Sequence, residues 1–258
     1  MVSCIHCSEN AVFRNPDLCK DHLFTEVERK VKETIQRFNL ISKSDKVCVA
    51  VSGGKDSTLL LYLLKKFGYD IEGLAIDEGI KGYRDESLEF LKKFCKDNDI
   101  KLRIVSYKQE YGETLDSMVK RTKYPCATCG PLRRNMLNKY SKRFDKIATG
   151  HNLDDESQAV MMNLVKNNMA LLLRSGPMLD KQEGFVQRIK PLFFVPERMV
   201  RAYTFMKGMD VDFEECPYMT NSFRNRIRVE LNSYEQSHSG TKLRLAEFGS
   251  SINLVKSC

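Results

Sequence analysis

Apolar residues recur along this chain with two periods. Thr25 reads as a helix N-cap, and Val27, Val31, Ile35 and Phe38 then follow helical spacing up to Asn39. From Lys46 the pattern shortens. Val47, Val49 and Val51 form a β-branched run that stops at Ser52-Gly53-Gly54, after which Leu59, Leu60, Leu61, Leu63 and Leu64 resume a helical pattern. The unit repeats, with strands expected at 47–51, 71–76, 101–106 and 145–149 and helices at 57–67, 84–97, 132–143 and 153–168. Such alternation predicts an α/β fold, a parallel sheet with helices on both faces. After Gly176-Pro177 the pattern loosens. Pro191 and Pro196 bracket a short apolar piece, 197–207 reads as a helix, and beyond about residue 230 the chain reads as polar, with a loop at 237–240. The expected division is a small finger at 1–24, a main domain with a linking helix at 25–230, and a C-terminal segment at 231–258.

Composition narrows the class. Of 258 residues, 42% are hydrophobic and 29% charged, as in an ordinary soluble domain. No apolar run reaches membrane-spanning length. The first residues, Met-Val-Ser-Cys-Ile-His-Cys, show no apolar signal region, so a cytoplasmic location is expected. Nine cysteines are then too many for chance and an odd number for disulfides, which points to metal or redox chemistry. The net charge of +8 permits a polyanionic partner.

The turn at 52–57 carries the first chemistry. A glycine turn between a buried strand and a helix N-terminus presents free backbone N–H groups to a phosphate. It is not a Walker A loop, which needs a glycine where Val49 stands and a hydroxyl residue where Asp56 stands. Ser52-Gly53-Gly54-Lys55-Asp56-Ser57 instead resembles, position by position, the signature of the PP-loop ATP pyrophosphatases. Enzymes of that group cleave ATP between the α- and β-phosphates and adenylate a substrate oxygen. An acid beside the phosphates suits Mg²⁺ or departing pyrophosphate.

Three further constellations follow. Cys4-x2-Cys7 and Cys19-x2-His22, joined by a turn-rich stretch, have the ligand spacing of a tetrahedral zinc site, which would supply folding energy to a segment too small for its own core. His6 reads as exposed. Cys126-x2-Cys129 reads as a proline-bounded loop, and Cys216 as another loop thiol. Three thiolates fit a [4Fe–4S] cluster with one iron open to hydrosulfide; a persulfide pair, a second zinc site and a plain buried thiol are the other readings. Gly150-His151-Asn152-Leu153-Asp154-Asp155 is a second strand–glycine–helix junction. It would face the same crevice, because ligands of open parallel sheets bind beyond the strands' carboxyl ends. Asp155 reads as a site acid and Asp154 as a cap. Basic residues Arg133, Arg134, Lys139, Lys142, Arg143 and Lys146, and Arg198, Arg201, Arg224, Arg226 and Arg228, flank both halves of the site and would suit RNA phosphates or merely a solvated face. The triplet at 224–228 cannot share one helix face and reads as loop or strand.

Taken in order, these motifs resemble the tRNA 2-thiouridine synthetases, PP-loop tRNA sulfurtransferases acting on the wobble uridine or on uridine 54. The similarity covers about residues 1–230. It implies a HUP-type sheet with ATP at its switch point, held by Ala50, Ser52, Gly53, Lys55, Asp56, Ser57, Ile76, Arg133, Gly150 and Asp155. It further implies Mg²⁺, Zn²⁺ on Cys4, Cys7, Cys19 and His22, and a [4Fe–4S] cluster on Cys126, Cys129 and Cys216. The implied reaction adenylates O2 of a tRNA uridine, the wobble position favoured, and replaces that oxygen with sulfur. Lys55, Asp155, Cys126 and Cys216 would be catalytic. The sulfur donor would be free sulfide or a ubiquitin-like carrier protein, and the chain would form a homodimer. Many members carry a second, C-terminal zinc finger, of which Cys258 reads as the first ligand. The competing readings are an amidating ligase of the same loop group and a non-catalytic RNA-binding zinc protein.

Overall fold

Five parallel strands carry the site in this computed structural model, which describes residues 2–122, 124–211, 216–218 and 223–255. The finger precedes helix α1 (Lys20–Arg37). There follow β1 (Lys46–Val51), α2 (Lys55–Lys66), β2 (Asp70–Asp77), α3 (Arg84–Asp97), β3 (Lys101–Ser106), and short α4 (Tyr107–Tyr111) and α5 (Leu115–Met118). Then come α6 (Pro125–Ser141), β4 (Lys146–Thr149), α7 (Leu153–Val165), short α8 (Met169–Leu172), β5 (Gln187–Ile189), α9 (Glu197–Met206), α10 (Phe223–Ser237) and α11 (Thr241–Val255). The strand order is β3-β2-β1-β4-β5, so the chain reverses direction across the sheet at β1. The register pairs Val49 with Gly73 on one side and with Ala148 on the other.

Val47, Cys48 and Val49 are wholly buried, as strands covered on both faces must be. One core layer joins β1 to α1, α2, α3 and α9; a second packs β2 and β4 against α4, α5 and α6. The finger contributes Cys4, Phe13, Leu18 and Cys19 to the first layer, so it is docked rather than tethered. Arg198 of α9 donates to the carbonyls of Arg14 and Asn15 and stacks over Phe13 at 4.9 Å.

Several expectations are corrected. Helix α1 begins at Lys20, with Cys19 as N-cap, because His22 must turn back toward the cysteines; Thr25 lies inside the helix and donates to the carbonyl of Asp21. Helix α6 starts at Pro125, not 132, so Cys126 and Cys129 stand on its first turns rather than on a loop. Proline at a first turn is tolerated since that N–H has no intrahelical partner, and the short spacing disguised the start. Arg224, Arg226 and Arg228 lie on α10, with Arg224 and Arg228 one turn apart, and the expected polar segment forms the rest of α10 and all of α11, joined by a turn at 238–240 where a loop was expected. Helices α10 and α11 both pack on α7. A polar solvent face hid α10, in which only Ile227 and Leu231 are buried. Cys258 lies outside the described residues. Among those described, no helix is long and apolar enough to cross a membrane.

Candidate active site

A cavity of about 460 Å³ opens at the carboxyl ends of β1, β2 and β4, where the strand order reverses. Ala50, Ser52, Gly54, Asp56, Ser57, Ile76, Thr149, Gly150 and Asp155 line it, together with Gly130 and Arg133 of α6. The volume suits a nucleotide.

Close backbone approach builds the cradle. Gly53 has φ +90°, and a Cβ there would stand 2.9 Å from Ser87 Cβ. A Cβ on Gly150 would fall 2.8 Å from Ser57 N and 2.9 Å from Asp56 C, so only glycine lets the β4–α7 turn touch the start of α2. Ser57 Oγ accepts from Ser52 N at 3.1 Å and closes the loop. Asn152 caps α7 in a capping box with Asp155 and also donates to Asp56 Oδ1 at 2.8 Å. One side chain thus joins the two glycine turns. Asp154 caps a different helix, accepting from Glu197 N of α9 at 2.8 Å, and pairs with Lys242 of α11.

Burial raises the pKa of Asp155 and also that of Asp56, where the charge of Asp155 adds to it. Two crowded carboxylates raised in this way fit a divalent cation, whose charge would relieve both. Burial alone would depress the pKa of Lys55, but Asp56 at 3.0 Å and Glu197 at 2.7 Å hold it above its ordinary value. Lys55 thereby faces a second, larger groove bordered by Pro196, Glu197, Arg201 and Lys242, while its neighbours Gly54 and Asp56 line both spaces. His151 is exposed on the cavity side, its Nδ1 2.9 Å from Thr149 Oγ1, and the protein atoms crowded around it push its pKa down to about 4.

The thiols meet on the α6 side. Cys129 is buried, accepting from Tyr107 Oη at its carbonyl (2.9 Å) and lying 3.4 Å from that oxygen through its sulfur. Cys126 is exposed, its sulfur 3.8 Å from the Tyr218 carbonyl, and Cys216 packs half-buried in the same cluster as Cys129. Burial raises the Cys216 thiol and the nearby Cys126 and Cys129 add to it, against the Tyr218 backbone and the Arg133 charge, which lower it. The three thiols do not themselves line the cavity, and among the described residues the ligand atoms that converge within 4.8 Å are those of the finger, so the three-cysteine set is a neighbourhood rather than a closed tetrahedral site.

Sequence reading missed the acid behind this wall. Glu78 is buried between Arg84 at 2.9 Å and Arg133 at 2.7 Å. Arg84 donates to the carbonyls of Ile76 and Ser52, and Arg133 reaches the Cys129 sulfur at 3.8 Å. Glu78 therefore connects the glycine loop to the thiol helix. Its signal was available: an acid one residue past the carboxyl end of β2. Glu197 and Arg188 were also missed, since each comes from a distant element.

In the finger, Cys4, Cys7, Cys19 and His22 place their ligand atoms within 4.8 Å of one another. Cys19 Sγ lies 3.1 Å from His22 Nδ1 and Cys7 Sγ 3.5 Å from it. Three sulfurs and one imidazole nitrogen fit zinc. His6 is exposed, its ring 5.1 Å from that of His22, and stands outside the four. Cys48 and Cys95 are core thiols that burial pushes up to about 12 and about 11.

A glycine loop of this sequence, at the switch point of a parallel sheet, defines a PP-loop nucleotide-binding domain, and the family model described as a PP-loop domain matches residues 23–235. The tRNA-5-methyluridine(54) 2-sulfurtransferase of Pyrococcus horikoshii is 41% identical over 247 residues, 93% of this chain and 79% of the relative. Cytoplasmic tRNA 2-thiolation protein 1 of Xenopus laevis is 35% identical over 268 residues, 98% of this chain and 79% of the relative. The solved U34-tRNA thiolase NcsA from Methanococcus maripaludis, with its [4Fe-4S] cluster, superposes with a TM-score of 0.86 at 33% identity, covering 100% of this chain and 88% of that one. The NMN synthetase of Francisella tularensis, at 14% identity and a TM-score of 0.51, shares the fold alone. The chain belongs to the PP-loop family of tRNA 2-thiolation proteins.

Proposed function

We propose that this protein is an ATP-dependent tRNA-uridine 2-thiolase working in the cytoplasm. One observation carries the reading: Gly130 and Arg133, on the helix of Cys126 and Cys129, line the same cavity as Ser52 and Ser57. Nucleotide activation and thiol chemistry thus have a common floor.

In this reading Ala50, Ser52, Gly53, Lys55, Asp56 and Ser57 bind the ATP phosphates, Ile76 contacts adenine, and Arg133, Gly150 and Asp155 complete the nucleotide site. O2 of the uridine attacks the α-phosphate and pyrophosphate leaves. Loop N–H groups and Lys55 offset the charge that builds on the phosphate oxygens. Asp56 and Asp155 would hold Mg²⁺, which supplies further neutralisation. Adenylation turns O2 into a good leaving group, so that sulfur attacks C2 and AMP departs. Cys126, Cys129 and Cys216 would hold the [4Fe–4S] cluster, which supplies the sulfur-delivering centre. Cys4, Cys7, Cys19 and His22 would hold zinc. The wobble uridine is the favoured target, with uridine 54 the competing one; the donor is free sulfide or a ubiquitin-like carrier, and the chain pairs as a homodimer.

Cys126→Ala, purified anaerobically, loses iron and thiolation but keeps ATP binding. Full thiolation by that variant would remove the thiols from the mechanism. Pyrophosphate release that requires tRNA excludes an amidating ligase and a non-catalytic RNA binder together.

A further inference from the structure

Arg134 and Arg188 line the cavity, Arg174 lies near enough for its charge to act on Arg188, and among the described residues no carboxylate pairs with these three. Arg188 leaves β5 and lines the cavity, with its Nε buried and without a hydrogen-bond partner. Arg134 lines the same cavity from α6, its guanidinium folded toward Gly130. Arg174 follows α8 and is exposed; its guanidinium donates to the neutral Gln182 at 3.4 Å. Burial depresses the Arg188 pKa, and the charges of Arg134 and Arg174 depress it further.

Like charges held together without a counter-ion cost free energy, and an anionic ligand removes that cost. ATP is not well placed to be that ligand. Adenine over β2 puts the phosphates over β1 and the N-terminus of α2. The strand order sets β5 two strands beyond β1, roughly 10 Å away at the usual strand spacing. In the thiolase reading the acceptor base would take the space between, beside the helix that carries Cys129. The next anion along that line is the backbone of the nucleic acid that carries the base.

We propose that Arg134, Arg174 and Arg188 form a binding site for the RNA phosphodiester beside the reacting uridine. This rests on the reading of the chain as a tRNA thiolase. Guanidinium groups suit the role, since their fork matches two phosphate oxygens.

The test uses the full chain with the exposed pair replaced, Arg134→Gln with Arg174→Gln, and separately with both changed to Lys. Affinity for unmodified tRNA is measured between 50 and 200 mM salt, and ATP affinity by calorimetry without turnover. The Gln pair weakens tRNA about tenfold or more and flattens the salt dependence by about one to two phosphate contacts, while ATP affinity stays within about twofold. The Lys pair regains most of the salt slope, which a merely structural role would not do. Unchanged tRNA affinity and slope beside a wild type that binds tRNA overturns the site. So does loss of ATP affinity alone, which would assign the arginines to ATP. A wild type that binds no tRNA overturns the thiolase reading, and the site falls with it.

Discussion

Asp155 shows the cost of chemistry at the scale of one residue. Its side chain closes the capping box of α7, and its charge is crowded by burial beside that of Asp56. A carboxyl whose folded-state pKa is raised stabilises the fold below its unfolded pKa and loses that contribution as pH rises through the folded value. Asp155→Asn keeps an acceptor for the Asn152 amide and removes the charge. It should melt higher than wild type at pH 7, by roughly 2–4 °C per kcal/mol relieved, and the gap should close toward pH 3 while pyrophosphate release is lost. Thermal melts across pH check the sign. A lower melting temperature at pH 7 would mean that the charge is not strained. Glu78 is the opposite case. Removing its carboxylate strands the buried Arg84 and leaves Arg133 unpaired, so Glu78→Ala should cost about 3–5 kcal/mol in urea unfolding.

At the scale of elements, α11 acts as a brace. A Cβ on Gly249 would stand 2.5 Å from Val160 Cγ2 and 3.1 Å from Ser175 Cβ, and both neighbours are buried. Lys242, from the first turn of α11, meets Asp154 behind the Asn152 cap, and Asp154 in turn caps α9, which carries Glu197. Gly249→Ala gains about 1 kcal/mol in helix propensity, yet it should still lower stability, by roughly 1–3 kcal/mol, through overpacking. A higher melting temperature would show that the α7–α11 contact yields. Neither α11 nor its Lys242–Asp154 pair was read from the sequence: apolar Leu243, Leu245, Ala246, Phe248 and Ile252 were present, but their partner helix α7 lies far away in the chain. The strand–turn–helix units at 46–66 and 146–165 were legible, since each is written in one short continuous stretch of chain.

Across the whole molecule, the finger and the sheet are one structure. Leu18, Leu23 and Val27 carry the core from the ligand cluster into the domain, and Arg198 ties the finger's tip to α9. Chelation of zinc should therefore lower the melting temperature of the entire chain, not only fray its first residues, and zinc analysis should return one ion per finger. If chelation leaves the transition unchanged while the finger becomes protease-sensitive, the two parts are energetically separate.

Local pattern was enough for the α/β class, the ATP-type loop, the zinc spacing and the paired cysteines, because each is written in residues close together in the chain. Tertiary structure decided what those motifs face. Lys55 turns to Glu197, Arg133 is held by Glu78 beside Cys129, and Arg188 arrives uncompensated from the edge strand. Those pairings join residues from elements far apart along the chain, and only packing of the sheet and its helices brings such charges within reach of one another.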